Sequence, residues 1–274
     1  MYKIIIIVFF TILLAAQVSA LNAQCVKENK AFNMNEKITF DVIYNWGFIW
    51  IEAGYVEFKV NKAYFNSKQV YHFDAWGTSL EKYDWIFKVR DRYQAYADME
   101  TLQPLWFERT NYEGGFEVHN IYNFNYQQGI IKASLENSDH PKLDTTIPLK
   151  DCTLDLISII YHARNIDFSK YKADDRIPLR VIIDGEIFDL FIRYHGKETI
   201  TTRDKVSYSC EKFSALLVEG TIFNAGEDLT VWVTDDKNRI PVMVEAKILV
   251  GSVKAMLKGA HNLRNPTVLK TRVY

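Results

Sequence analysis

Cysteine is scarce in this chain and never closely spaced, because Cys25, Cys152 and Cys210 are the only three and no C-x-x-C pair occurs among them. That excludes a thioredoxin-like redox motif and a zinc ribbon. Also missing are H-E-x-x-H, a G-x-S-x-G elbow, a Walker loop and a dinucleotide-binding glycine fingerprint, so hydrolase and nucleotide chemistry have no foothold. Gly77-Thr78-Ser79 comes nearest to an elbow and lacks the second glycine. An excess of one charge is absent too: 33 Lys and Arg face 34 Asp and Glu. A polyanion binder would be basic, so nucleic acid is not an expected partner. The six histidines, at 72, 119, 140, 162, 195 and 261, include no close pair. His72 and Asp74 share a strand face without a third ligand, and neither a metal nor any other cofactor is expected.

Long apolar runs are limited to one. Lys3 precedes Ile4 to Ala16, broken only by Thr11 and followed by the small residues Ser19, Ala20 and Ala23. This is the pattern of a secretory signal peptide over residues 1–23, cleaved after Ala20 or Ala23. It is shorter than the ~20 apolar residues that span a membrane, and no second run follows, so no transmembrane segment is expected after cleavage. The protein is therefore expected to be exported, to the periplasm or the outer-membrane periphery. Cys25, just past the run, raises a lipidated first residue, against which Gln24 stands because the cleaving enzyme prefers a small residue there. In an oxidising compartment Cys152 with Cys210 is one candidate disulfide, and free buried thiols are the other reading.

What the chain has in quantity is alternation. Leu229, Val231 and Val233 alternate with Thr230, Trp232 and Thr234; a polar turn at Asp235–Asn238 follows, and Val242, Val244, Ala246, Ile248 and Val250 alternate again. Trp232 takes the face opposite the valines, and Pro241, which has no amide hydrogen, fits the first position of its strand. With Val253, Ala255 and Leu257 beyond Gly251-Ser252, these runs predict an antiparallel meander. Earlier, Ile38–Tyr44 and Val56–Val60 read as strands, with Gly47 and Gly54 bracketing residues 48–51 in a hairpin. Tyr71–Ala75, the charged aromatic segment Tyr83–Asp98, Phe116–Phe124 and Gly129–Leu135 continue the series. Asp184-Gly185 between apolar runs predicts a two-residue hairpin turn. Asn137 to Lys150, with Pro141 and Pro148, reads as a surface loop. Only residues 153–165 change period: Leu154, Ile157, Ile160 and Tyr161 share a helical face, Asp155 and Arg164 suit the ends of the helix dipole, and the helix is expected against the concave side of a sheet.

The expected architecture is mainly β: a curved antiparallel sheet or open half-barrel of about 10–14 strands, with one main helix at about 153–165. Residues 24–35 form a leader, 36–259 a single domain, and 260–274 a basic tail, either solvated or lying on anionic headgroups.

Phe40 with Tyr44, Val89-Arg90-Asp91, Leu102-x-Pro104, Asp155 with Ser158, Val231-Trp232, Asp235-Asp236, Arg239-Ile240-Pro241 and Gly251-Ser252-Val253 form a combination. It resembles the domain of unknown function 3108 family over roughly Phe32 to Leu257, and the leader ending in Asn22-Ala23-Gln24-Cys25 has a Bacteroidetes flavour. The resemblance implies an envelope-associated antiparallel β domain and no activity. At fold level it is similar to lipoprotein-carrier half-barrels, whose sheet and helix enclose an apolar cavity.

Arg90 and Asp91 are adjacent on a strand and so point to opposite faces; whichever turns inward needs a partner, either structural or a ligand's polar headgroup. Asp235 and Asp236 read as turn residues bonded to local backbone. The chain contains 17 Phe, 16 Tyr and 6 Trp. These either fill the sheet or line a cavity, for which Trp76, Trp85, Trp106 and Trp232 are the candidates. The leading expectation is a non-enzymatic exported protein binding a hydrophobic or lipid-like component on the concave face. The alternatives are a partner that docks another envelope protein through its sheet edges, and an enzyme of unrecognised type.

Overall fold

The computed structural model describes residues 25, 28–217, 226–247, 251–267 and 271–272; the signal peptide expected at 1–23 lies outside them. In chain order the strands are β1 (Lys37–Trp46), β2 (Ile49–Phe65), β3 (Lys68–Ser79), β4 (Val89–Asp98), β5 (Pro104–Glu113), β6 (Phe116–Asn125), β7 (Ile130–Asn137), β8 (His140–Pro148), β9 (Thr153–Leu154), β10 (Arg176–Ile183), β11 (Glu186–Thr201), β12 (Val206–Leu217), β13 (Gly226–Thr234), β14 (Pro241–Lys247), β15 (Ser252–His261) and β16 (Thr271–Arg272). Two short helices, α1 (Asp84–Phe87) and α2 (Ser158–Ala163), interrupt them. Fifteen strands form one path, β8-β7-β6-β5-β4-β3-β2-β1-β15-β14-β13-β12-β11-β10-β9, with β16 added to β12. Apart from β9 and β16, fourteen strands remain, which is the upper end of the expected number.

The predicted meander is present among the described residues, with Val231 opposite Val244 and Trp232 opposite Met243, while Ile248 and Val250 of its second run lie outside them. Elsewhere local signals yield to pairing. Gly54 is not a turn, because β2 runs straight through it with a register shift against β1. Residues 137–150 are not a loop but hold β8, whose side chains are nearly all exposed and which pairs only with β7 among the described residues. Its prolines fit an edge strand, where a missing amide hydrogen is harmless. The helix is shorter than 153–165, since Thr153-Leu154 instead pair in parallel with β10.

The sheet curls until its far end meets its near one. At the Asp184-Gly185 turn, Arg109 Nη2 and Asn120 Nδ2 donate to Asp184 Oδ1 at 2.9 and 2.8 Å, and the Gly185 amide donates to the Tyr122 hydroxyl at 3.1 Å. Gly185 is required there: its φ is +86°, and a Cβ would fall 2.6 Å from Leu135 Cδ1.

The concave side is filled by the chain itself. Phe32 of the leader packs edge-on against Tyr71, Phe73 and Tyr161, and Tyr161 of α2 stacks on Phe73 with centroids 3.9 Å apart. Arg164 caps the C-terminal end of α2, where its charge suits the helix dipole, and it is buried. It forks onto Glu36 at 2.5 and 3.0 Å, donates through Nε to the Asn238 carbonyl at 3.0 Å, and is 3% exposed.

Cys25 and Cys152 form the disulfide, with Cα atoms 5.3 Å apart, so the Cys152–Cys210 pairing is not realised. Cys210 is a fully buried free thiol among Tyr208, Trp232 and Met243, whereas Cys152 sits in a turn with φ +61° ahead of β9. A sulfur committed to this disulfide has no valence left for a lipid thioether.

Candidate functional site

Strand β4 decides what faces where. Its Ala95 and Ala97 belong to the buried cluster with Phe73, Phe107 and Tyr122, so Tyr93 and Asp91 point inward and Arg90, Arg92 and Gln94 point outward. Arg90 and Asp91 thus separate as the alternation requires. Arg90 is bound to Asp84 and to the Ser79 hydroxyl at 3.0 Å, a structural ion pair that fixes α1 against β3.

Asp91 has no such cation. It stands opposite Asn111 and beside Glu113, and burial, reinforced by the Glu113 charge, pushes it up to about 7. Asn111 donates to the Tyr93 hydroxyl at 2.6 Å and to Glu113 at 3.1 Å. Its own Oδ1, Asp91 Oδ1 and Arg109 Nε are buried without hydrogen-bond partners. A proton shared between the Asp91 and Glu113 carboxyls relieves their repulsion in this half-buried cluster behind the groove.

The four candidate cavity tryptophans do not line the concave face. Trp76 lies between the inward Ala75 and Gly77, and Trp106 beside the inward Phe107; both project from the outer face. Trp232 is also on the outer face, where the ribbon of β11 and β12 covers it. That ribbon shifts register at Tyr194/Gly196, and its Ile200, Val206, Tyr208 and Cys210 pack with Trp232, Met243 and Met256. Trp85 is on α1 and 82% exposed. The reason is parity together with supply: Phe32, Phe73, Phe107, Tyr122 and Tyr161 already fill the inside.

On the outer face of β2 to β5 lies a groove of about 670 Å³ lined by Tyr55, Trp76, Thr78, Leu80, Arg92, Gln94, Glu108 and Thr110, among others. Arg92 stacks over Trp76 at 4.6 Å and donates through Nε to Asp74 at 3.0 Å. Gln94 donates to Glu108 at 3.2 Å, and its carbonyl meets His72 Nε2 at 3.2 Å; burial holds His72 below the ordinary histidine value, so it meets Gln94 as a neutral donor. Glu108 in turn meets His119 at 2.9 Å. Of the lining, Trp76, Arg90 and Asp91 were singled out from sequence, and His72 and Asp74 beside it as an incomplete ligand pair. The signal for the rest was the alternation of Arg90, Arg92 and Gln94 within an aromatic strand.

Two further features frame the choice. At one end of the sheet, the β1–β2 turn and α1 expose Phe48 (94%), Trp50 (56%), Trp85 (82%), Ile86 (63%) and Phe87 (47%). Phe87 abuts Gly114, where a Cβ would fall 2.3 Å from its ring. At the other end a recess of about 450 Å³ holds Tyr194, Lys197, Glu211 and Asp235. Its groups satisfy one another: Tyr194 donates to Glu211 at 2.5 Å, and Lys197 to Asp235 at 2.6 Å. Asp236 is the turn residue expected, accepting from the amides of Asn238 and Arg239 at 2.9 and 3.1 Å, whereas Asp235 reaches Lys197. No cluster of three or more His, Cys, Asp or Glu among the described residues could hold a metal ion, and no described helix is long and apolar enough to cross a membrane.

A curled antiparallel sheet with its inside filled by a leader and a helix defines the class: an open, β-barrel-like domain. A crystal structure described as a beta-barrel-like protein of domain of unknown function DUF1849 from Brucella abortus shares that fold, with a TM-score of 0.54 at 8% identity, over 85% of this chain and 99% of that one. The family model for the protein of unknown function DUF3108 matches residues 39–258, and the chain belongs to that family. No curated protein matches it.

Proposed function

We propose that this is an exported, non-enzymatic domain of the cell envelope, at the periplasm or outer-membrane periphery, that binds a hydrophobic or lipid-like component. The observation that carries the reading is the exposed set Phe48, Trp50, Trp85, Ile86 and Phe87 at one end of the sheet. Large apolar side chains left exposed at one end of a sheet mark interaction sites, and removing one from water contributes about 1.5–3 kcal/mol. The contact belongs at this end and not on the concave face, because Phe32 and Tyr161 occupy the concave face. Aromatic residues with lysines at hand suit a lipid headgroup boundary: Lys254 lies 5.2 Å over Trp50, and Lys82 lies 4.9 Å over Tyr83.

The test is mass spectrometry of an organic extract from protein purified without detergent, together with flotation on phospholipid vesicles. Stoichiometric lipid, and flotation lost in Trp85→Ser/Phe87→Ser, are expected. An extract identical to that of a control protein, with no flotation, would remove the reading. A second reading, docking of a partner strand, is favoured by the free edge of β8. Lys142 and the two prolines blunt that edge, so it ranks below the first.

A further inference from the structure

We infer that the outer groove across β2 to β5 binds a neutral saccharide, with Tyr55 and Trp76 as its stacking platform. The inference is independent of the lipid reading, since it concerns a different face and different residues.

Register places the groove as three parallel cross-strand rows. Tyr55, Thr78 and Arg90 form one row, Trp76, Arg92 and Thr110 the next, and Asp74, Gln94 and Glu108 the third. Three inter-strand steps span about 14 Å, room for roughly two or three pyranose rings.

Charge and polarity select among ligands. An anionic headgroup or phosphate would need free cations, but Arg90 and Arg92 are already committed to Asp84 and Asp74, and Glu81 and Glu108 add negative charge to the lining. An acyl chain would need an apolar floor uninterrupted by charge, and Arg90, Arg92 and Glu108 cut across this one. A free cation would meet the two guanidinium groups. What remains is an uncharged molecule with an apolar face and many hydroxyls.

A sugar ring has both. Its C–H face lies flat on an indole or phenol ring, and Trp76 and Tyr55 present theirs 46% and 49% exposed. Arg92, stacked over one face of Trp76, holds that indole in place before any ligand arrives. The sugar's hydroxyls each donate and accept, which matches a wall alternating donors and acceptors: the Arg92 guanidinium, the Gln94 amide, the Glu108 carboxylate and the Thr78 and Thr110 hydroxyls.

The experiment is a glycan array of neutral hexose and N-acetylhexosamine oligosaccharides, probed with the wild-type protein and confirmed by calorimetric titration of the best binder. Expected is binding to neutral oligosaccharides that weakens at least tenfold in Trp76→Ala and in Thr110→Trp; the second change fills the groove from an exposed position and leaves the platform intact. Trp106→Ala, on the same face outside the groove, should bind as wild type does. The inference is overturned if no neutral glycan binds above the Trp76→Ala background, if only anionic glycans bind, or if Thr110→Trp binds normally. Vesicle flotation by the same variants keeps the two readings apart, because Thr110→Trp should still float.

Discussion

Replacing Glu36 by alanine should destabilise this protein more than any other single change of a charged residue. Glu36 is 1% exposed and receives both arms of the Arg164 guanidinium, so its removal strands a cation that is 3% exposed. Removing one partner of a buried ion pair costs about 3–5 kcal/mol, because the surviving charge keeps its desolvation penalty and loses its compensation. For a domain of this size each kcal/mol moves the melting temperature by about 2–4 °C, so a fall of roughly 6–20 °C is expected. The effect should also be local in origin, since Arg164 joins the leader, α2 and the Asn238 turn in one network. The double variant Glu36→Leu/Arg164→Met removes both charges and should recover part of the loss, giving a coupling of about 2–3 kcal/mol in a double-mutant cycle. Recovery stays incomplete because the carbonyls of Asn238 and Ala31 lose their donor. The assay is guanidinium unfolding followed by circular dichroism. A Glu36→Ala variant within 1 kcal/mol of wild type, or strictly additive changes, would refute the reasoning.

Three further predictions follow from the same kind of accounting. Because burial beside Glu113 raises Asp91 to about 7, the folded protein holds a proton that the unfolded chain gives up near pH 4. Its contribution to stability is therefore lost as pH rises from about 4 to about 7, so Asp91→Asn should gain stability over wild type more at pH 8 than at pH 5; equal midpoint differences at the two pH values would contradict this. Native, unreduced protein should show no titratable thiol and denatured protein one, because Cys210 is fully buried with its thiol pushed up to about 12 while Cys25 and Cys152 are joined. Two or more native thiols would be inconsistent with the pairing, and breaking it with Cys25→Ser should cost up to about 5 kcal/mol, the chain-entropy figure for so long a loop. Gly54→Ala should be poorly tolerated, with a loss of about 1–3 kcal/mol, since its Cβ would meet the Thr78 carbonyl oxygen at 2.2 Å, whereas Gly77→Ala finds nothing nearer than 3.8 Å and should be nearly neutral in stability.

Much of the fold is written in period-two alternation, and it can be read wherever one face of a strand is buried. The meander from Leu229 to Leu257 and the Asp184-Gly185 turn are of this kind, because a one-residue slip would reverse every side chain. Residues 137–150 carry no such pattern, since only Thr145 and Ile147 of β8 are even partly buried, and the strand is held by its pairing with β7. Thr153-Leu154 have a helical period but are held by β10, so tertiary pairing overrides a local preference there. The candidate site was legible in part. Alternation separates Arg90 from Asp91 and Trp76 from its neighbours, but it does not say which parity is inside. That depends on Phe32 and Tyr161, which reach the concave side from a leader and a helix far away in sequence. The disulfide was hidden for the same reason, as Cys25 and Cys152 are 127 residues apart and meet only when the leader docks.

We propose that this protein meets its hydrophobic component through the exposed end of the sheet and not through its interior. The most direct measurement is a nuclear magnetic resonance titration with phospholipid nanodiscs, following the indole N–H signals of Trp50 and Trp85 and the methyl groups of Ile157 and Ile182. The two indoles are expected to shift or broaden while the methyls, which are 1% and 0% exposed, stay where they are. Shifted methyls with unmoved indoles would place the ligand inside the barrel and contradict it.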